Sequence, residues 1–464
     1  PDVKIRPELK EFNMMSFNPV SIDTIMIRGY EAALAQDSLL RIVAEKTAGK
    51  YYPKKKKPAS AMAGDSLVIA NVDIKGVLPR EKELLKERLD LKYGQKISRE
   101  DLDHIVAQIY GTQAYDFVTY ELSGKGEPFD LILNCKKGPI HQFGLGVRAD
   151  TEEIVSVLIN LGLNAHKLHG HCYDFTAKIS ANPYVQFKWS YDVPKVPTLN
   201  ALASVRWTDL NMLDFGSNRL SFSYLASRQE FFMSNITWKH MDMKAGLRNE
   251  IIRVRNVKSS QFIGDYDFSQ LNNDFVSVFA EADTYTFDDG YFPTRGIDAG
   301  LSYSWTFAGF PNAIDNFHTL RADGKFVIPL CDMFAFIPSF DFRLLFGHDI
   351  PVAYFNAMGG ALPSRFVDQQ MPFIGVNHIS AMKNILTIFR TDYRFKLAKN
   401  HYVTGILNYA RDCDTFRDYT NGLGYFGAGL EYAFDTIFGP LKADIHWSNL
   451  TNKVGFYISA GYNF

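Results

Sequence analysis

The sequence has little cysteine, no excess of one charge and no long apolar run. Its four cysteines, at positions 135, 172, 331 and 413, are too few and too scattered for a disulfide framework, and no C-x-x-C pair indicates a structural zinc site. With 50 Lys and Arg against 51 Asp and Glu, no global positive field attracts nucleic acid. No stretch reaches the ~18 apolar residues of a membrane-spanning helix, which excludes helical membrane proteins and leaves β-barrels open.

Aromatic residues are abundant by contrast, with 37 Phe, 24 Tyr and 5 Trp. Many lie in segments that alternate apolar and polar residues with period two, the pattern of β-strands whose two faces differ. Four such segments are 155–164, 199–208, 297–307 and 454–464. No convincing amphipathic helix interrupts the pattern after Pro139, so this part of the chain is predicted to be all-β.

The length of these segments indicates strands that cross a membrane. They match the ~9–11 residues of a transmembrane strand and exceed the ~5–6 residues of an average soluble strand. Because lipid does not tolerate an open sheet edge, the strands must close into a barrel. At ~20 residues per strand and connection, the segment 139–464 predicts about sixteen strands. Charges on the inner face fit a wet or plugged lumen: Glu281, Asp283, Arg390, Asp392, Arg394 and Lys396.

Residues 1–48 are predicted to be the end of a domain whose body lies upstream. The first nine residues alternate around Pro7 and predict a strand, and helical spacing begins near Pro19. A strand and one long helix cannot bury both apolar faces alone. Residues 49–65 predict an extended basic linker, because the lysines at 54–57 stand between two prolines. This linker is either a solvated spacer or a patch that meets anionic lipid headgroups.

Residues 66–138 predict a small α/β domain with the element order β-α-α-β-β. Pro79 opens the first helix, and Ser98 caps the second with Asp101 completing a variant capping box. A three-stranded sheet covered by the two helices follows from this order. The predicted buried face of the second helix consists of Leu102, Ile105, Val106, Ile109 and Tyr110.

This small domain resembles a POTRA domain, the periplasmic module that precedes outer-membrane assembly and secretion barrels. The matching features are the strand ending at Gly76, the G-x-x-I-S turn of 94–98 and the step from Tyr110 to Tyr115. The chain end also resembles the C-terminal recognition strand of bacterial outer-membrane barrels. That signal consists of Phe456, Ile458, Tyr462 and Phe464. The resemblance implies the outer membrane of a Gram-negative-type bacterium, with the POTRA-like domain in the periplasm.

Two internal motifs resemble the surface-antigen superfamily, which holds barrel assembly factors and two-partner secretion transporters. The first matches its PTRG turn and consists of Phe292, Pro293, Thr294, Arg295 and Gly296. The second lies where the superfamily carries an inward-folded lid loop with a V-R-G-[FY] tip, and consists of Gly359, Gly360, Pro372, Phe373 and Gly375. The arginine position of this tip reads Ile374. The usual salt bridge to a barrel-wall acid therefore has no arginine at this position, and the departure argues against a standard assembly factor.

The arrangement as a whole resembles the patatin-like phospholipase autotransporters, in which a lipid acyl hydrolase precedes one POTRA domain and a barrel. Residues 2–9 and the run Gly29-Tyr30-Glu31-Ala32-Ala33 are similar to the end of a patatin domain. Patatin chemistry uses the serine of G-x-S-x-G with an aspartate base, and this motif is absent from the 464 residues. The chain as given is expected to hydrolyse nothing and to need no cofactor, whereas a longer parent would be a phospholipase or esterase.

Two further clusters have structural and functional interpretations. His166, His169 and His171 lie beside Cys172, but their spacing does not place metal ligands on one face of a strand. Asp288 and Asp289 before Gly290 offer too few oxygens for calcium, which takes 6–8. A turn between barrel strands is the preferred interpretation of both clusters.

The predicted architecture is therefore a sixteen-stranded transmembrane barrel preceded by a POTRA-like domain and a remnant of an upstream α/β domain. The leading hypothesis is a barrel that secretes or anchors its own N-terminal patatin-like domain. The alternatives are a barrel that inserts or translocates other proteins in trans, and a passive porin-like barrel. The implied partners are outer-membrane lipids, the barrel assembly machinery, the chain's own upstream domain, and a second copy or a larger membrane complex.

Overall fold

The computed structural model describes residues 4–10, 12, 19–47, 66–89, 94–124, 126–193, 196–214, 218–238, 241–259, 272–421 and 423–464. The predicted linker, 49–65, lies outside these residues. None of the helices in the described ranges is long and apolar enough to cross a membrane. These ranges contain an N-terminal helix pair, an α/β module and a β-barrel.

The N-terminal segment differs from its prediction in two respects. Residues 4–9 form no strand, and Pro7 among them lacks the amide that a strand donates to its neighbour. The predicted long helix is two helices, α1 (Pro19–Leu34) and α2 (Asp37–Thr47). Asp37 in the first turn of α2 pairs with Arg41 at 2.7 Å, which favours a new helix start at this position.

The α/β module contains the predicted elements and one additional strand. Its elements are β1 (Ser66–Lys75), α3 (Pro79–Leu89), β2 (Lys96–Ser98), α4 (Arg99–Tyr110), β3 (Tyr115–Ser123) and β4 (Phe129–Lys137). The sheet order is β2-β1-β4-β3, with β1 and β4 parallel. The sheet has four strands instead of the predicted three, because residues 96–98 pair with 66–68.

Helix α4 begins at the predicted cap. Ser98 Oγ accepts the Asp101 amide at 3.1 Å, and Asp101 accepts the Ser98 amide at 2.9 Å. Leu102, Ile105 and Ile109 are buried as predicted, and Val106 is partly buried. Tyr110 is 58% exposed instead, because it lies about 100° around the helix from Ile109.

The Glu81 carboxylate joins α3 to the sheet of the module. It accepts hydrogen bonds from the Leu78 amide at 2.9 Å, from Lys137 Nζ at 2.9 Å and from the Tyr115 hydroxyl at 3.4 Å. Burial opposes ionisation, but these hydrogen bonds outweigh it and hold the pKa of Glu81 below its ordinary value of 4.5. The carboxylate therefore stabilises the module above that value, and this stabilisation is lost as the pH falls through the lowered pKa.

We expect Glu81→Gln to destabilise the module by about 1–3 kcal/mol at neutral pH, the usual effect of disrupting a buried polar group. The difference from the wild type should shrink as the pH falls through the lowered pKa of Glu81, where the wild-type carboxylate gains a proton. Hydrogen exchange of peptides from 66–138 measures both effects in the intact protein. Glu83→Gln, at an exposed position of the same helix, is the control and should change neither quantity.

The remaining chain is almost entirely β-strand. The strands are β5 (Gln142–Asp150), β6 (Ile154–Leu163), β7 (Gly170–Ile179), β8 (Tyr184–Asp192), β9 (Thr198–Asp214), β10 (Asn218–Trp238), β11 (Met241–Ser259), β12 (Asp274–Tyr285), β13 (Gly296–Phe310), β14 (Phe317–Cys331), β15 (Phe334–Gly347), β16 (Asn356–Met358), β17 (Gln370–Met371), β18 (Ile379–Met382), β19 (Ile385–Ala398), β20 (His401–Cys413), β21 (Leu423–Phe434), β22 (Leu441–Ser448) and β23 (Lys453–Gly461). Short 3-10 helices cover Val352–Tyr354 and Phe416–Asn421.

Sixteen of these strands form a closed antiparallel wall. Strands β5–β15 and β19–β23 pair with their sequence neighbours, β15 pairs directly with β19, and β23 pairs with β5. Along β13, the apolar Leu301, Tyr303 and Trp305 are at least 40% exposed on the outer face, which is where a barrel meets lipid. The predicted sixteen-stranded barrel with alternating faces is confirmed.

Candidate functional site: the lid loop and the barrel seam

The connection between β15 and β19 folds into the barrel instead of extending outward. Its strand β16 pairs with β17 and β18, and β18 pairs in parallel with the wall strand β9. Met358, Met371 and Phe373 are almost fully buried in a core with Leu386 and Ala410 of the wall. We call residues 348–384 the lid loop.

Arg365 of the lid loop enters an acidic turn of the barrel wall. Its Nη2 lies 2.6 Å from Asp150 Oδ2 and 3.3 Å from Glu153 Oε2, and its Nη1 lies 3.3 Å from Glu152 Oε2. The Arg365 side chain is only 2% exposed. Arg365 therefore joins the lid loop to the turn between β5 and β6.

Two other cations neutralise the same acidic turn. Arg148 Nε lies 2.9 Å from Asp150 Oδ2, and Lys178 Nζ lies 2.9 Å from Glu153 Oε2. We call these three cations and three acids, Arg148, Asp150, Glu152, Glu153, Lys178 and Arg365, the lid lock. Its formal charges balance, which is the condition for burying so many ions.

The lid-to-wall salt bridge that Ile374 cannot form is present, because Arg365 forms it nine positions earlier in the chain. Ile374 instead places its side chain over Gly427 and Gly429 of β21. Gly375 follows with φ +91°, and a Cβ there would lie 2.5 Å from Ser448 Cβ. Ile374 and Gly375 thus pack this part of the lid loop against β21 and β22, while Arg365 forms its salt bridges elsewhere in the loop.

The other lid residues predicted from the sequence lie in the same buried region. Gly359 donates its amide to the Met371 carbonyl at 2.9 Å, and Gly360 donates to the Val376 carbonyl at 2.6 Å. Pro372 is half-buried and Phe373 is buried beside it. These contacts hold the two branches of the lid loop together.

Asp368 forms a second ionic contact, of opposite sign, between the lid loop and the wall. Its carboxylate lies 2.9 Å from Arg206 of β9 and also contacts Arg228 of β10. Arg228 lies 2.6 Å from Glu250 of β11. The lid loop therefore offers a cation and an anion three residues apart, and each meets its opposite on the wall.

The predicted inner charges line the lumen, and three of the six form the ion pairs that follow. Glu281 lies 2.7 Å from Lys244 and 3.0 Å from Arg248. Arg390 and Asp392 pair at 2.7 Å. The remaining predicted members, Asp283, Arg394 and Lys396, lie on the inner faces of β12 and β19.

The seam between β23 and β5 is the shortest contact in the wall. Only Ser459↔Asp150, Ala460↔Ala149 and Gly461↔Arg148 pair there, whereas each other pair of adjacent wall strands has at least seven pairs in the described residues. Tyr457 of β23 brings its hydroxyl 3.3 Å from Arg365 Nη1. The lid lock therefore contacts both strands of the seam.

A cavity of about 560 Å³ lies beside the seam. The tips of the β5–β6 and β7–β8 hairpins border it, together with Phe366 and His378 of the lid loop and Phe456 of β23. Residues 453–457 of β23 pair only with β22 in the described part of the wall. One edge of β23 thus faces the cavity without a partner strand.

The residues of the predicted C-terminal signal lie in two different environments. Phe456 and Ile458 are at least 50% exposed on the outer face of β23. The last strand ends at Gly461, three residues before the predicted end at 464, and the Tyr462 amide adds one further hydrogen bond to the Val147 carbonyl of β5 at 3.3 Å. Phe464 instead lies over Arg148, with the guanidinium 5.4 Å from the ring centroid.

The PTRG residues form the turn between β12 and β13. Phe292 and Pro293 are buried, Thr294 and Arg295 are exposed, and Gly296 begins β13. Gly296 has φ +119°, and a Cβ would lie 2.5 Å from the Thr286 carbonyl oxygen. Asp288 accepts the Thr294 amide at 2.7 Å, and Asp289 accepts the Phe292 amide at 2.7 Å. Both aspartates therefore stabilise the backbone of the turn.

His166 and His169 lie in the turn between β6 and β7, and His171 is the second residue of β7. His171 Nδ1 accepts the Trp189 indole N–H at 3.1 Å, and its ring centroid lies 4.6 Å from that of Tyr191. Leu168 of the same turn packs against the core of the α/β module. Among the described residues, no group of His, Cys, Asp or Glu side chains is placed to hold a metal ion.

Comparison with known structures places this fold among outer-membrane barrels. The chain is similar to BamA from Haemophilus ducreyi lacking POTRA domains 1–3, with 13% identity, coverage of 97% of this chain and 94% of that one, and a TM-score of 0.62. It is also similar to CdiB from Acinetobacter baumannii, with 11% identity, 86% and 74% coverage, and a TM-score of 0.50. No curated protein sequence matches.

Residues 186–464 match the family model described as the OMP85 superfamily. This match covers more than half of the chain and the barrel wall from β8 to β23, without β5, β6 and β7. The chain belongs to the OMP85 superfamily and is an outer-membrane β-barrel protein.

Proposed function

We propose that this barrel passes or inserts polypeptide at the seam between β5 and β23. The observation that carries the proposal is the seam's three residue pairs. Few hydrogen bonds must break to separate these strands, and an exposed strand edge accepts a further strand by backbone pairing. The edge of β23 beside the cavity is already without a partner in the described wall.

The lid loop argues against a passive porin-like barrel. It fills the lumen with a buried core and two sets of ion pairs, Arg365 at the acidic turn and Asp368 at the arginines of β9 and β10. A lumen plugged in this way should carry small, flickering currents instead of large steady ones. Planar-bilayer recordings with large steady currents would favour the porin.

We infer that the first cargo is the chain's own upstream region, a patatin-like lipid acyl hydrolase domain that the barrel secretes or anchors. The exposed apolar side chains of α1 and α2 support this, since Met26, Tyr30 and Leu34 are each more than half exposed. Such a surface needs a covering partner. Protease added to intact cells should reach the upstream domain if it is displayed, and should spare it if it is tethered in the periplasm.

The second candidate is insertion or translocation of other proteins in trans. The α/β module, taken as a periplasmic POTRA-like domain, supports it, because β2 and β3 are the edge strands of its sheet. An edge strand can bind an extended client before delivery to the seam. Unchanged levels of the other outer-membrane proteins in a depletion strain would count against this candidate.

A disulfide across the seam tests the proposed function. Ala149 and Ala460 are register partners, so cysteines there fall within the Cα separation of 4.4–6.8 Å that a disulfide needs. In a background without the four native cysteines, oxidised Ala149→Cys/Ala460→Cys should abolish delivery of cargo, and reductant should restore it. Surface exposure of the upstream domain and levels of other outer-membrane proteins are the two readouts.

The matched control is Ala245→Cys/Ala280→Cys, a register pair of β11 and β12 on the outer face. Its disulfide joins strands that share ten pairs, and it should leave both readouts unchanged. Full delivery through the locked seam would contradict the proposed function.

A further inference from the structure

The turn between β12 and β13 is unusually long for its position. It spans residues 286–295 at the end of the barrel where β5 begins, which we call the module-side mouth. The β14–β15 and β19–β20 turns at the same mouth have two residues each. Asp289 accepts the amides of Tyr291 and Phe292 at 2.8 and 2.7 Å. These bonds fix the tip of the longer turn in one conformation.

The tip of this turn contacts wall strands that are not neighbours of β12 and β13, the two strands that the turn connects. Phe292 stacks on Tyr402 of β20, with ring centroids 4.2 Å apart and an interplanar angle of 6°. Lys442 Nζ of β22 lies 5.8 Å from the Phe292 centroid, and Arg394 of β19 donates to the Pro293 carbonyl. In wall order, β19, β20 and β22 lie three, four and six strands from β13. The turn therefore lies across part of the mouth.

The same turn also holds the end of the seam strand. The Asn463 amide donates to the Tyr291 hydroxyl oxygen at 3.1 Å, and the Tyr291 and Tyr462 rings lie 6.2 Å apart. Asn463 comes two residues after Gly461, the last residue of β23 that pairs with β5. This contact fixes the end of β23 without adding a pair to the seam.

We propose that residues 286–295 are a strap that closes the module-side mouth and positions the C-terminal end of β23 for seam closure. Phe292 is its anchor, 6% exposed between Tyr402 and the Lys442 ammonium. Tyr291 is a positioning residue that acts on the seam through Asn463. Polypeptide that arrives from the α/β module displaces the strap, and the end of β23 then loses the Tyr291 contact, while β23 keeps its pairs with β22 and its short contact with β5. This last step rests on the proposed function.

Two variants separate the closing role of the strap from its positioning role. Phe292→Ala removes the stack on Tyr402 and should increase the single-channel current in planar bilayers several-fold. Tyr291→Phe keeps the ring and removes the hydroxyl that accepts the Asn463 amide. It should leave the current unchanged and speed hydrogen exchange in residues 453–464. The control is Phe438→Ala, at a 75% exposed position of the β21–β22 turn, and should change neither quantity.

Correct folding of each variant is checked by the heat-modifiable migration of the barrel on gels. In correctly folded protein, wild-type current through Phe292→Ala would overturn the closing role, and unchanged exchange in Tyr291→Phe would overturn the positioning role. A photoreactive p-benzoylphenylalanine at position 291 should cross-link to the peptide 454–464, and cross-links found only elsewhere would overturn the contact. None of these measurements needs a cargo. The strap proposal can therefore fail while seam-dependent delivery is supported, and seam-dependent delivery can fail while the strap proposal is supported.

Discussion

Arg365→Ala is expected to release the lid loop from the barrel wall. The substitution leaves the carboxylates of Asp150, Glu152 and Glu153 with only Arg148 and Lys178 as cationic partners. Removing one member of a buried ionic cluster usually costs about 3–5 kcal/mol, because the remaining charges are left without compensation. We therefore expect a lower unfolding temperature and larger, longer-lived currents in planar bilayers.

Arg365→Lys is the informative partner variant. It keeps the positive charge but loses the planar fork with which Arg365 contacts Asp150 and Glu152 together. Its unfolding temperature and current should fall between those of the wild type and Arg365→Ala. Arg417→Ala, in an exposed 3-10 helix, controls for the loss of an arginine and should match the wild type. A wild-type current through Arg365→Ala would show that this arginine does not hold the lid loop.

Gly375→Ala should displace the other end of the lid loop from β22. Gly375 has φ +91°, and an added Cβ would lie 2.5 Å from Ser448 Cβ and 2.6 Å from the Trp447 carbonyl. The backbone conformation alone costs about 1–3 kcal/mol for a residue with a side chain, and the contact with rigid backbone adds to it. We expect faster hydrogen exchange in residues 370–382 and an increased current.

Gly405→Ala is the matched control for this substitution. Gly405 lies on β20, where an added Cβ has open space around it. The variant should retain wild-type exchange and current. If Gly375→Ala behaves in the same way, the lid loop does not depend on close approach to β22.

The barrel could be predicted from the sequence because its signal is local and repeated. Segments such as 297–307 show their two faces by alternation alone, and their length separates lipid-crossing from soluble strands. The capping box of α4 is equally local, since Ser98 and Asp101 are three residues apart. The short strand β2 could not be predicted this way, because three residues carry almost no periodicity.

The arginine that joins the lid loop to the wall could not be assigned from the tip motif, for a physical reason. The tip motif assigns the arginine position to Ile374. The fold of the whole loop, however, decides which of its cations reaches the wall. A second signal was present in the sequence. Three acids within four residues, Asp150, Glu152 and Glu153, stand between two alternating strands, and such a turn needs cations when it is buried. Arg365, the only arginine between 344 and 389, was the available partner.

The seam could not be predicted from the sequence at all. Both β5 and β23 read as ordinary alternating strands, and pairing between them joins residues about 300 positions apart in the chain. The seam's three pairs follow from the register in which the barrel closes. The opening of this seam is the step on which the proposed function depends.

Spin labels placed on either side of the seam measure its opening directly. Val155 of β6 and Val454 of β23 are exposed on the outer face, and Leu247 with Val278, register partners in β11 and β12, form the control pair. During passage of cargo in native membranes, the distance between labels at 155 and 454 should gain a longer population, while the control distance stays fixed. An unchanged distance between 155 and 454 during active passage would contradict seam opening.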